Sequence, residues 1–174
     1  MTMSADFSHQ PVMLEEVFSW IVGKKTGVYV DGTIGGAGHA HAILKRTQGR
    51  LIGIDCDADA LSAAREKLVP FGSRVTLIKA NFSDLSSVLK KLHIEKVDGV
   101  LLDLGVSSHQ LDTAHRGFSF SQSAPLDMRM DQDLKLRAYD IVNHLRQMNW
   151  KRSFDYTGKK KWLRELPWQY QERE

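Results

Sequence analysis

VYVDGTIGGAGHAHAIL, residues 28–44, opens as an apolar, β-branched run, bends through a segment crowded with glycine and closes with apolar residues at helical spacing. That is a strand, a turn and a helix in succession. The same succession returns downstream, where RLIGID (50–55), RVTLIK (74–79) and VDGVLLDLG (97–105) are mostly apolar throughout, as strands buried in a parallel sheet are. HAHAILKRT, DADALSAAREKL and SDLSSVLKKLH lie between them with apolar residues at helical spacing. Asp57 and Ser83 stand where the second and third of these helices need an N-cap. An earlier helix, roughly Pro11 to Val22, is expected beside the first strand. Strand and helix alternating, with right-handed crossovers, give an α/β fold: a parallel sheet with helices on both faces.

In such a sheet ligands bind at the carboxyl ends of the strands, near the switch point, and the glycine bend sits there. It is no phosphate loop: G-x-x-x-x-G-K-[ST] is absent, and the glycines at 32, 35, 36 and 38 satisfy no register of G-x-G-x-x-G. What remains is Asp31, followed by Gly35, Gly36 and Gly38 leading into a helix, where glycine lets the main chain approach a ligand closely. The second strand ends in GIDCD, placing Asp55 about 20 residues after the turn, where an acid can accept hydrogen bonds from both hydroxyls of an adenosine ribose. NAD and S-adenosylmethionine both fit this pattern. Only the first needs a pyrophosphate held at a helix N-terminus.

Composition narrows the class. The chain has 174 residues, 42% apolar and 26% charged, enough for one domain with a core. No apolar run approaches the roughly 20 residues of a bilayer span, and the N-terminus MTMSADFSHQPVML lacks the features of a signal or transit peptide, so a cytoplasmic protein is expected. Cys56 is the single cysteine, which rules out an internal disulfide. The formal charge of +3 is uneven: residues 1–149 hold 17 Lys plus Arg against 17 Asp plus Glu, and residues 150–174 hold 7 against 4. The basic character belongs to the tail.

The third and fourth strands are followed by ANFSDL (80–85) and LLDLGVSSHQLD (101–112), then by RGFSF (116–120) and APLDMRMD (124–131). Together with HQPVMLEEV, DGTIGGAGH and GIDCD, in this order over residues 9 to about 145, the set closely resembles the RsmH (MraW) family. The resemblance implies a Rossmann-like class I methyltransferase fold, S-adenosylmethionine as cofactor, no metal, and transfer of a methyl group to the exocyclic N4 of a cytosine in small-subunit, 16S-type ribosomal RNA. It also implies that Ala37, Gly38 and His39 contact the cofactor in the glycine turn, that Asp55 takes the ribose and that Phe82 lies against the adenine. Asp103 and Gln110 would complete the pocket. Each has a plainer alternative: a first-turn helix residue for His39, core for Phe82. Met128 and Met130 suggest a sulfur-rich contact, though methionine is more often gap-filling core.

A sulfonium methyl is already activated, so alignment of nucleophile, methyl and sulfur is the main task. The cytosine amine is a poor nucleophile because its lone pair is delocalised into the ring. Acceptors aimed at its N–H bonds favour the attacking form, and Asp103 is the natural candidate, with Leu104 and Ser107 close in sequence. A paired cytosine must first be exposed. Arg116 and Arg129 are read as phosphate contacts or surface ion pairs.

The chain departs from the family after AYDIVNHL. A methyltransferase core over 1–149, with the start of an inserted helical domain near 125–149, is expected to give way to a basic, tryptophan-containing tail over 150–174 that reads as unrelated sequence. On this reading the fold is incomplete. The uncovered sheet edge is then expected to make the chain marginally stable or self-associating and without measurable methyl transfer even if it binds S-adenosylmethionine, so that a non-catalytic S-adenosylmethionine-binding module is the alternative to an active enzyme.

Overall fold

A computed structural model of the protein describes residues 11–144, so the expectations for 150–174 lie outside the described residues. Strands β1 (Val28–Asp31), β2 (Arg50–Asp55), β3 (Val75–Lys79) and β4 (Gly99–Leu101) form one sheet in the order β3–β2–β1–β4, with every neighbour parallel. The helices are α1 (Leu14–Ile21), α2 (Gly38–Arg46), α3 (Ala58–Leu68), α4 (Leu85–Lys91), α5 (Ser108–Asp112) and α6 (Ala138–His144). This is the expected Rossmann-like arrangement.

Successive side chains of a strand point to opposite faces, and the two faces carry two cores. Tyr29 and Leu51 face Ala40, Ile43 and Leu44 of α2 and Leu61, Ala64 and Leu68 of α3, with Phe18 and Ile21 of α1 packed against them. Val30, Ile52 and Ile54 face the other way, onto Val88 of α4. Each fully buried aliphatic side chain contributes roughly 1.5–3 kcal/mol. Both faces are therefore covered, but unequally: Val100, the register partner of Val30, stays 40% exposed on the α4 side.

Three local expectations are corrected. Helix α1 is shorter than the 11–22 span and rests on α2 and β4, where Ile21 lies against Gly99. The strands β1 and β4 end earlier than their apolar runs because side-chain oxygens take over from the ladder: Thr33 N–H donates to Asp31 Oδ1 (3.2 Å), and Asp103 N–H to Thr33 Oγ1 (2.8 Å). Asp57 caps α3 as expected, accepting from Asp59 N–H at 3.1 Å. Ser83 caps nothing; it donates its N–H to Asn81 Oδ1 (2.9 Å), and Asn81 opens a short 3₁₀ turn over Phe82–Asp84 that runs into α4. The carbonyl of an asparagine satisfies that turn two residues earlier than the serine would.

Candidate functional site

The strand order reverses between β1 and β4, and in sheets of this kind ligands bind beyond the carboxyl ends of the strands at such a switch point. The glycine bend is docked into this place by its own main chain. Ile34 N–H donates to Ile54 O (3.0 Å), and the Ile34 side chain lies over Gly53 of β2, where a Cβ would meet Ile34 Cδ1 at 2.3 Å. A larger residue at 53 would push the bend off the sheet. Gly35 then turns with φ of +47°, a left-handed conformation that suits glycine, and Ala37 adopts φ of +57° as α2 begins. A non-glycine residue held this way costs about 1 kcal/mol and marks a site whose surroundings over-determine it.

Three carboxyl groups gather around the bend. Asp31, 2% exposed, ends β1. Burial pushes it up to about 7; the Thr33 amide opposes this, and the charges of Asp55 and Asp103 add to it. Asp55, half-buried at the end of β2, accepts from Gly35 N–H at Oδ2 (2.9 Å) and from Asp57 N–H at Oδ1 (2.9 Å). Burial pushes its carboxyl up as well, against those two amides. Each oxygen of a carboxylate has two lone-pair sites, so each retains one for a ligand. Asp103, just past β4, is exposed, and no hydrogen bond from a described residue reaches its carboxylate. The exposed carboxylate of Asp103, next to these two acids, favours a cationic ligand.

The other expected site residues are divided. Phe82 is 40% exposed rather than core, and its Cβ lies close to Gly32 at the carboxyl end of β1. Ala37 is fully buried, and Gly38 abuts Pro11. His39 Nε2 donates to Val12 O (2.9 Å), so its ring ties the segment before α1 to α2. Gln110 is 6% exposed: its Oε1 accepts from Ser107 N–H (3.0 Å) and its Nε2 donates to Asp57 Oδ2 (2.9 Å). Both side chains are committed to these neighbours.

The ion-pair reading holds for Arg129, while a surface position for Arg116 and core packing for the two methionines are corrected. Arg116 is fully buried, bound to Asp57 Oδ2 at 2.7 Å, and Arg129 is engaged by Asp127 (2.7 Å) and by the carbonyls of Gln132 and Leu134. Burying a guanidinium demands such partners, which closes Arg116 to phosphate, and Arg129, with its side chain 22% exposed, is engaged in its ion pair. Met128 and Met130 are 46% and 37% exposed, because the 125–131 loop lies outside both cores. Sequence reasoning passed over Thr33 and the pairing of Asp57 with Arg116. An arginine 59 residues from its acid carries no periodic signal.

Among the described residues no group of three His, Cys, Asp or Glu side chains could hold a metal ion, and no helix is long and apolar enough to cross a membrane.

Comparison with known proteins is consistent with this geometry. A model of the MraW methylase family matches residues 6–173, which brings the tail into the family and corrects its reading as unrelated sequence. The ribosomal RNA small subunit methyltransferase H of Syntrophus aciditrophicus is 57% identical over 137 residues, covering 78% of this chain and 44% of that protein. The enzyme of the same name from Geotalea daltonii is 48% identical over 164 residues, 93% of this chain and 53% of that protein. The chain thus spans about half the length of the curated relatives it matches. Among solved structures, an rRNA methylase from Streptococcus thermophilus superposes with a TM-score of 0.45 at 16% identity, over 56% of this chain and 57% of that one.

Proposed function

Since this chain belongs to the MraW methylase family and takes S-adenosylmethionine as its cofactor, we propose that it methylates the exocyclic N4 of a cytosine in small-subunit, 16S-type ribosomal RNA, in the cytoplasm. The curated relatives that carry the rRNA methyltransferase name favour an enzyme over a module that only binds the cofactor. One observation carries the assignment of the site: Asp31, Asp55 and Asp103 converge on a backbone bend at the switch point, and only Asp103 presents an exposed carboxylate.

When bound, the cofactor supplies a methyl group on a cationic sulfur, ready for displacement. The acids suit that positive charge. Asp55 would receive the ribose hydroxyls on its two spare lone-pair sites, and Phe82, just past β3, would lie against the adenine. Ala37 and Gly38 contribute backbone, and His39 and Gln110 hold the walls through Val12 and Asp57. Asp103, fixed by its amide to Thr33 Oγ1, accepts a hydrogen bond from the cytosine amine and turns the nitrogen lone pair toward the methyl. Displacement at that methyl would leave the C–S electron pair on sulfur, and the proton given up by the amine would pass to solvent beside the exposed Asp103 carboxylate.

The test is transfer of labelled methyl from S-adenosylmethionine to small-subunit rRNA, followed by nucleoside digestion. Label in N4-methylcytidine is expected. Label in another nucleoside, or none with cofactor binding intact, refutes the assignment. We further propose that the chain self-associates through β4, an edge among the described residues that leaves Val100 and Leu102 40% and 44% exposed. Light scattering is expected to show species larger than the monomer.

A further inference from the structure

Arg116 closes the 3₁₀ turn Ala114–Arg116 after α5 and is 0% exposed. Its NH2 nitrogen donates to Asp57 Oδ2 (2.7 Å), to Met130 O (3.0 Å) and to Arg129 O (3.2 Å), and its NH1 nitrogen to Asp59 Oδ2 (3.3 Å). The Arg116 carbonyl in turn accepts from Met128 N–H (3.0 Å). One side chain therefore joins the 128–130 loop to the start of α3. Asp57, 3% exposed, is the hub: its Oδ2 also accepts from Gln110, and its own amide donates to Asp55 Oδ1 (2.9 Å).

Isolated ion pairs buried this deeply contribute little net stability, because desolvation offsets attraction. What a guanidinium supplies is a planar fork with donors at fixed angles. Its placement is not optimised for hydrogen bonding either, since Nε is buried without a partner among the described residues. The geometry that is satisfied is the one aimed at Asp57 and the two loop carbonyls. Asp57 supplies one of the two amides that orient Asp55.

We propose that Arg116 is a positioning residue for the cofactor, acting through Asp57 to set the direction of the Asp55 carboxylate and to hold the 128–130 loop beside it. This rests on Asp55 receiving the ribose. Lysine at 116 would keep the charge but lose the fork, and asparagine at 57 would keep the helix cap and the amide while weakening the pairing.

Calorimetric titration of the full chain with S-adenosylmethionine and with adenosine tests this, each variant being checked for the parental circular dichroism. Asp55→Ala serves as reference and is expected to weaken both ligands about thirtyfold. Arg116→Lys and Asp57→Asn are each expected to weaken both about tenfold, and the double substitution to be no worse than the more affected single. A merely structural arginine would lower the unfolding midpoint and leave the folded protein's affinity for adenosine unchanged. Folded Arg116→Lys and Asp57→Asn proteins with parental affinity, beside a weakened Asp55→Ala, overturn the proposal alone. Parental affinity in Asp55→Ala overturns the ribose assignment and the proposal with it. If Arg116→Lys does not fold, Asp57→Asn decides by the same criterion.

Discussion

Asp103→Asn is expected to lower methyl transfer about a hundredfold while changing RNA affinity no more than about threefold, because the loss falls on alignment of the reacting nitrogen and not on the contacts that hold the RNA. The backbone of Asp103 is anchored to Thr33 Oγ1 at 2.8 Å, so asparagine would sit in the same place. It would present one carbonyl oxygen and one amide where there were two acceptors. The amide end repels the amine N–H bonds that the carboxylate receives. Single-turnover methyl transfer read beside filter-binding of the RNA separates the two effects. Equal losses in both would make Asp103 a binding residue only.

Asp31→Asn is expected to stabilise the fold at pH 8 by an amount that shrinks to nothing toward pH 4. In the folded protein burial lifts the Asp31 carboxyl from its ordinary 3.8 to about 7. Between those values the folded state holds a proton that the unfolded chain has released, so raising the pH withdraws stability. The withdrawal begins above the unfolded value and is complete once the pH passes about 7. At ~1.4 kcal/mol per pKa unit the full loss is on the order of 4 kcal/mol. Asparagine keeps an oxygen for the Thr33 amide and has no charge to bury. Urea titrations of both proteins from pH 4 to pH 8 measure the difference, and a constant gap across that range would contradict the burial account.

Much of the fold was legible because it is written in local period. The apolar runs at 28–33, 50–55 and 74–79 mark three of the four strands, and buried parallel strands need such runs wherever they occur. Strand ends were less legible, since β4 gives way after Leu101 where the Asp103 amide turns to Thr33 Oγ1, a partner distant in sequence. Asp55 could be read from its distance to the glycine bend, and the structure gives its two oxygens one amide each. Asp31 was visible as an acid at a strand end, yet its elevated pKa arises from the packing that covers it, which no spacing reports. Arg116 was misread for the same reason. Arginine is usually at the surface, and only the meeting of the 114–116 turn with the start of α3 buries it beside Asp57.

The most direct test of the central claim, that the acid-lined bend between β1 and β4 is an S-adenosylmethionine site, is isothermal titration of the chain with S-adenosylmethionine and, separately, with NAD. The bend lacks the glycine pattern that would seat a pyrophosphate, and the exposed Asp103 carboxylate near it favours a cation. One equivalent of S-adenosylmethionine is predicted to bind with measurable heat and NAD to give none; saturable binding of NAD with no binding of S-adenosylmethionine would contradict the account.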